Sequence, residues 1–106
     1  MLHEDIDHYY MLELRSVLKA DEAWRIVPDS FTEIETREDI ATGKWSGEVL
    51  HQKKNVYGEL VHEFHYFLSD GIYKIHAVGK PLYGIDMETQ NELFQQCLST
   101  LEITPK

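Results

Sequence analysis

Apolar and polar side chains alternate along residues 59–68 and 72–79, a period of two that predicts a pair of strands. Asp70-Gly71 between them predicts a two-residue hairpin turn. With that turn, Tyr66 faces Ile75, Phe64 faces Ala77 and Leu68 faces Tyr73 on one apolar face. The other face pairs His65 with His76, Phe67 with Lys74 and Glu63 with Val78. An earlier segment, SFTEIETRED from Ser30, also alternates, with Phe31, Glu33, Glu35 and Arg37 on one side and Thr32, Ile34 and Thr36 on the other. Residues 44–54 read as a further strand, weakened by Gly47. Thr42-Gly43 and the Asn55–Glu59 stretch supply the turns.

The chain ends follow a different period. In residues 5–20, Ile6, Tyr10, Leu14, Val17 and Leu18 recur at helical spacing, with Glu13, Arg15 and Lys19 opposite and Asp5 or Asp7 to cap. Gly79, Pro81 and Gly84 mark a loop, after which Asp86 caps a helix over 87–98 with Met87, Phe94, Cys97 and Leu98 inward. STLEIT at 99–104 reads as a closing strand. The predicted order is helix, four-strand meander, helix, strand. The fold class is α+β, an antiparallel sheet of four to five strands packed with two helices, in one domain over 1–106.

Composition narrows the function. The chain has 106 residues, 19 of them acidic and 10 basic, for a net charge of −9. Such a surface repels phosphate, which argues against nucleic acid or an anionic membrane as partner and favours a cationic protein segment. The single cysteine, Cys97, allows neither an intrachain disulfide nor a thiolate cluster and reads as an inert buried thiol. MLHEDIDHYY lacks the basic and apolar regions of a signal peptide, and no apolar run is long enough to span a bilayer, so a cytoplasmic location is expected.

The candidate chemistry is the trio Glu63, His65 and His76, two imidazoles and a carboxylate of the kind that holds catalytic zinc. No local carboxylate other than Glu63 orients either imidazole, so the expected reading is a solvated or helix-covered sheet face. His3, His8, His51 and His62 have no ligand spacing such as HExxH. Glu33, Glu35, Glu38 and Asp39 read as the wet face of a strand, Trp24 and Trp45 as core. No glycine motif for a nucleotide and no nucleophile elbow is present. No catalytic, cofactor-binding or metal residue is therefore assigned, and no cofactor is expected.

The segments IDHYYMLELRSVL, WRIVPDSFTEIE, GELVHEFHYFLSDGIYKIHAV and NELFQQCLSTLEI, in that order, resemble the PsbP-like fold of the photosynthetic oxygen-evolving complex and of small bacterial domain proteins. The resemblance spans about residues 5–104. It implies a non-enzymatic protein-binding or assembly module without shared catalytic residues. Two alternatives are a small-ligand carrier with a pocket lined by Tyr10, Trp24 and Tyr66, and a metal-dependent enzyme using Glu63, His65 and His76. Members of the family usually place a strand pair before the first helix, which is lacking here. An uncovered sheet edge then predicts a homodimer, or an edge held for a protein partner.

Overall fold

The computed structural model describes residues 11–24, 27, 33–80 and 87–101. They form a five-stranded antiparallel sheet and one helix. The strands are β1 (Met11–Lys19), β2 (Ile34–Thr42), β3 (Trp45–Val56), β4 (Glu59–Ser69) and β5 (Tyr73–Lys80); the helix is α1 (Met87–Ser99). Their spatial order is β1-β5-β4-β3-β2. Thus β2 to β5 run as a meander, and among the described strands the first in sequence, β1, lies beside the last, β5.

The expected two-helix, helix-first architecture is overturned, because Met11–Lys19 is a strand and α1 is the one helix among the described residues. The cause is visible in the register. β1 pairs Leu14 with Ala77 but Ser16 with His76, so Arg15 is an extra residue in a bulge. A bulge resets the alternation by one position and puts residues three apart on one face. Leu14 and Val17 therefore share the face of Ala77 and Ile75, while Leu18 turns to the other. The step of three from Leu14 to Val17, which imitates helical spacing, is thus the product of a bulged strand. Residues 5–10 of the expected helix lie outside the described residues. So does the second half of the closing strand; in its first half Ser99 ends α1 and neither Thr100 nor Leu101 is in a strand.

The meander follows its turn chemistry. Tyr57 and Gly58 both have positive φ, 52° and 85°, between the paired Val56 and Glu59, which is the geometry of a type I′ hairpin. The expected turn at Asp70-Gly71 lies one residue further on: Ser69 pairs with Lys74 and the Asp70 amide donates to the Tyr73 carbonyl at 3.2 Å, so Gly71 and Ile72 form the tip. Asp70 Oδ1 accepts the backbone amides of Ile72 at 2.9 Å and Tyr73 at 2.8 Å, an Asx turn that holds the tip in this displaced position. The register consequently shifts by two. Tyr66 pairs with Ala77, Leu68 with Ile75 and Phe67 with His76. A shift of two leaves every side chain on its expected face.

The core lies between the sheet and α1. Trp45, Val49, Phe64, Tyr66, Leu68, Ile75 and Ala77 meet Phe94 and Leu98 of the helix. Gln90, Phe94 and Leu98, four residues apart, are the stripe that α1 buries, Met87 joins it in part, and Cys97 is half-buried. Polar bonds fix the helix laterally. Thr42 donates to the Gln95 carbonyl at 2.7 Å, Trp45 Nε1 donates to the Leu101 carbonyl at 3.0 Å, and the Tyr66 hydroxyl donates to Asn91 Oδ1 at 2.5 Å. Burial pushes the Tyr66 phenol well above its ordinary pKa, so it stays a donor.

The outer face of the sheet is not wet. Leu18, Leu50, Glu63, His65, Phe67, His76 and Val78 are all buried. Trp24 covers part of it, edge-on to Phe67 at 5.2 Å, with the Lys74 ammonium 4.7 Å from its own ring.

Candidate functional site

Two chains of hydrogen-bonded side chains run from a glutamate through one histidine to a second, one on each face of the sheet. The outer chain is the trio expected from the sequence. Glu63 and His65 lie two apart on β4, so they share a face, and Glu63 Oε1 accepts from His65 Nε2 at 3.1 Å. His65 Nδ1 meets His76 Nε2 of β5 at 3.0 Å. The two rings are nearly parallel, and His76 stacks on Phe67 at 4.4 Å. His65 and His76 are diagonal across β4 and β5, not directly opposed, because of the register shift.

The electrostatics of this trio are those of a buried neutral–ionic relay. The hydrogen bond from His65, with Lys54 at 3.4 Å in support, holds the Glu63 carboxyl down at about 2 against the opposing effect of burial. Burial, and secondarily the charge of His65 and Arg15, lowers His76 to about 4. Glu63 and His76 bind opposite ring nitrogens of His65, and all three groups are buried away from solvent. The arrangement suits proton sharing and strand cross-linking better than metal coordination.

It also makes stability depend on pH. His76 titrates near 6.5 when unfolded and near 4 when folded, so the unfolded chain takes up the proton first and stability falls as pH drops from about 6.5 to 4. Glu63, held at about 2 against 4.5, extends the loss in the same direction below pH 4.5. The expected loss at pH 5 relative to pH 7.5 is up to about 2 kcal/mol, read from urea midpoints at the two values. A His76→Gln chain should show a much flatter dependence; an equally steep one would remove His76 as its source.

The inner chain was not expected. His51 of β3 and His62 of β4 lie on the helix side, where the hairpin at Tyr57-Gly58 brings them together. His51 Nε2 meets His62 Nδ1 at 2.9 Å, and His51 Nδ1 lies 3.0 Å from Glu35 Oε2. A second bulge, between Ile34 and Thr36, re-aims Glu35 onto this face. The other Glu35 oxygen is 3.6 Å from Lys53. His51 is buried and stacks on Phe64 at 4.7 Å; His62 is half-exposed. Burial lowers the His51 pKa, with Glu35 opposing and His62 and Lys53 adding to the fall.

Beside this chain, between α1 and the β2–β3 end of the sheet, opens a cleft of about 490 Å³. Its walls include Thr36, Glu38, Val49, His51 and Phe64 from the sheet, and Glu88, Asn91, Glu92 and Gln95 from the helix. Among the described lining residues there are three carboxylates and neither lysine nor arginine. Of the expected carrier pocket, Tyr66 lies in the core below the helix, Trp24 lies on the opposite face, and Tyr10 is outside the described residues. Glu33 and Asp39, from the acidic run, are exposed on and beside the edge strand β2, where Glu38 alone reaches the cleft.

No protein-family model, no curated protein and no solved structure matches this chain. The PsbP-like resemblance thus rests on the pattern of elements, in whose first segment residues 11–19 are strand. Among the described residues, no helix is long and apolar enough to cross a membrane.

Proposed function

We propose that this chain is a non-enzymatic binding module whose cleft between α1 and the sheet receives a cationic segment of a protein partner. One observation carries the reading. A cleft of about 490 Å³ presents Glu38, Glu88 and Glu92, with neither lysine nor arginine among its described lining, on a chain of net charge −9. Carboxylates gathered in a concavity with apolar floor residues focus a negative potential, which raises both encounter rate and selectivity for positive groups. Val49, Ile40 and Phe64 supply the apolar floor that an aliphatic lysine or arginine stem covers. The outer trio Glu63, His65 and His76 is buried, which disfavours the metal-dependent enzyme as the alternative.

A fluorescent hexapeptide alternating arginine and alanine tests the reading by anisotropy, with a chelator present throughout. Binding should weaken with added salt, and Glu88→Gln with Glu92→Gln should weaken it about tenfold, as expected for two lost charge contacts. Binding unchanged by the double substitution would refute the cleft as the site. The volume also lies within the range of small-molecule sites, roughly 300–1,000 Å³, which supports a carrier of a small amine as the second reading. Competition by a diamine at the same glutamates, with no peptide binding, would select it.

A further inference from the structure

Apart from the binding reading and independent of it, we propose that His51 and His62, with Glu35 behind His51, form a site for a divalent transition ion of the zinc or copper(II) kind. The two nitrogens that face each other, His51 Nε2 and His62 Nδ1, are 2.9 Å apart. Two zinc–nitrogen bonds of about 2.0–2.1 Å at a tetrahedral angle hold their nitrogens roughly 3.3 Å apart, so an ion replaces the shared proton with a movement of only a few tenths of an ångström.

The remaining nitrogen of His51 is already engaged in the way that metal-bound imidazoles use. Its Nδ1 sits 3.0 Å from Glu35 Oε2, and a carboxylate there fixes the tautomer that leaves the Nε2 lone pair aimed at His62. One donor atom from each of Glu35, His51 and His62 lies within 4.8 Å of the others. The Phe64 ring stacked on His51 at 4.7 Å holds the imidazole plane.

Access separates this chain of groups from its counterpart on the outer face. His51 lines the cleft and His62 is half-exposed, so an ion between them is reached from solvent and keeps positions for water. His65 and His76 are 6% and 3% exposed. Charge also favours the inner site. Lys53 near Glu35 opposes a dication, but Glu38, Glu88 and Glu92 share the cleft that His51 lines. Two imidazoles suit zinc and copper(II), with copper the tighter, and do not suit magnesium or calcium.

The test uses the full chain stripped with a chelator and dialysed at about pH 7.5. Calorimetric titration with zinc chloride should show one ion bound with Kd of about 1 µM or tighter. His62→Ala should remove that binding, Glu35→Gln should weaken it about 10–100-fold, and His65→Ala should leave it unchanged. Copper(II) electron paramagnetic resonance should show two coordinating nitrogens, and one in His62→Ala. His62 is half-exposed, so its alanine variant retains the fold, as circular dichroism will verify. Absence of zinc binding up to ~100 µM overturns the proposal, as does binding that survives His62→Ala and disappears in His65→Ala.

Discussion

Truncating Phe94 to alanine is expected to lower the unfolding free energy by about 3–5 kcal/mol. The ring has no exposed surface and is the contact through which α1 sits on the sheet. It lies 6.3 Å, centroid to centroid, from both Phe64 and Tyr66. It also rests on Gly79 of β5 so closely that a methyl there would lie 2.6 Å from the ring carbons. The cavity left by the truncation has rigid walls, because sheet backbone forms its floor. Against a total of roughly 5–15 kcal/mol for a native domain, such a loss is a large share. Urea unfolding measures it, with exposed Glu92→Ala expected within about 0.5 kcal/mol of the parent. A loss below about 1 kcal/mol for Phe94→Ala would mean that the helix is not seated there. The cleft should fail together with the fold, since Glu88, Asn91, Glu92 and Gln95 reach it only from a docked α1.

Gly47→Ala is expected to cost about 3 kcal/mol, although the residue contributes nothing to the core by itself. Gly47 sits in β3 between Ile40 of β2 and Leu68 of β4. A Cβ at this position would lie 2.0 Å from the Phe67 carbonyl oxygen and 3.1 Å from the Leu68 Cα. Both are backbone atoms, so no side-chain rotation relieves the clash and the β3–β4 ladder must open. Thermal unfolding should show the drop, and a substitution tolerated within about 0.5 kcal/mol would disprove the close approach. Read from the sequence, this glycine weakens a strand; in the fold it is what lets two strands approach.

The same contrast describes the rest of the molecule. The strands over 45–56, 59–69 and 73–80 and the helix over 87–99 were legible because alternation, turn residues and a helical stripe agree in each. β1 was not legible, since a bulge at Arg15 imitates helical spacing and only the pairing with β5 identifies it. The trio of Glu63, His65 and His76 was legible from parity alone, and its contact survived a register error of two. His51 and His62 carried a comparable signal, being on one face of a hairpin whose turn contains Tyr57-Gly58. Applying to that turn the reasoning used at Asp70-Gly71 would have put them diagonally adjacent on one face, His51 opposite Phe64 and His62 opposite Lys53. Glu35 carried no such signal, because a second bulge decides which way it points.

The place of β1 also governs the timing of folding. Met11 pairs with Lys80 and Lys19 with Tyr73, so this ladder joins positions more than fifty residues apart in the chain. The hairpins from β2 to β5 close loops of a few residues and can form on the microsecond scale, whereas β1 must find its place across almost the whole chain. Until it does, β5 is a bare strand edge. A second copy of β1 fits that edge with the same register, so the slow step of monomer folding and the first step of strand exchange between molecules compete for one seat.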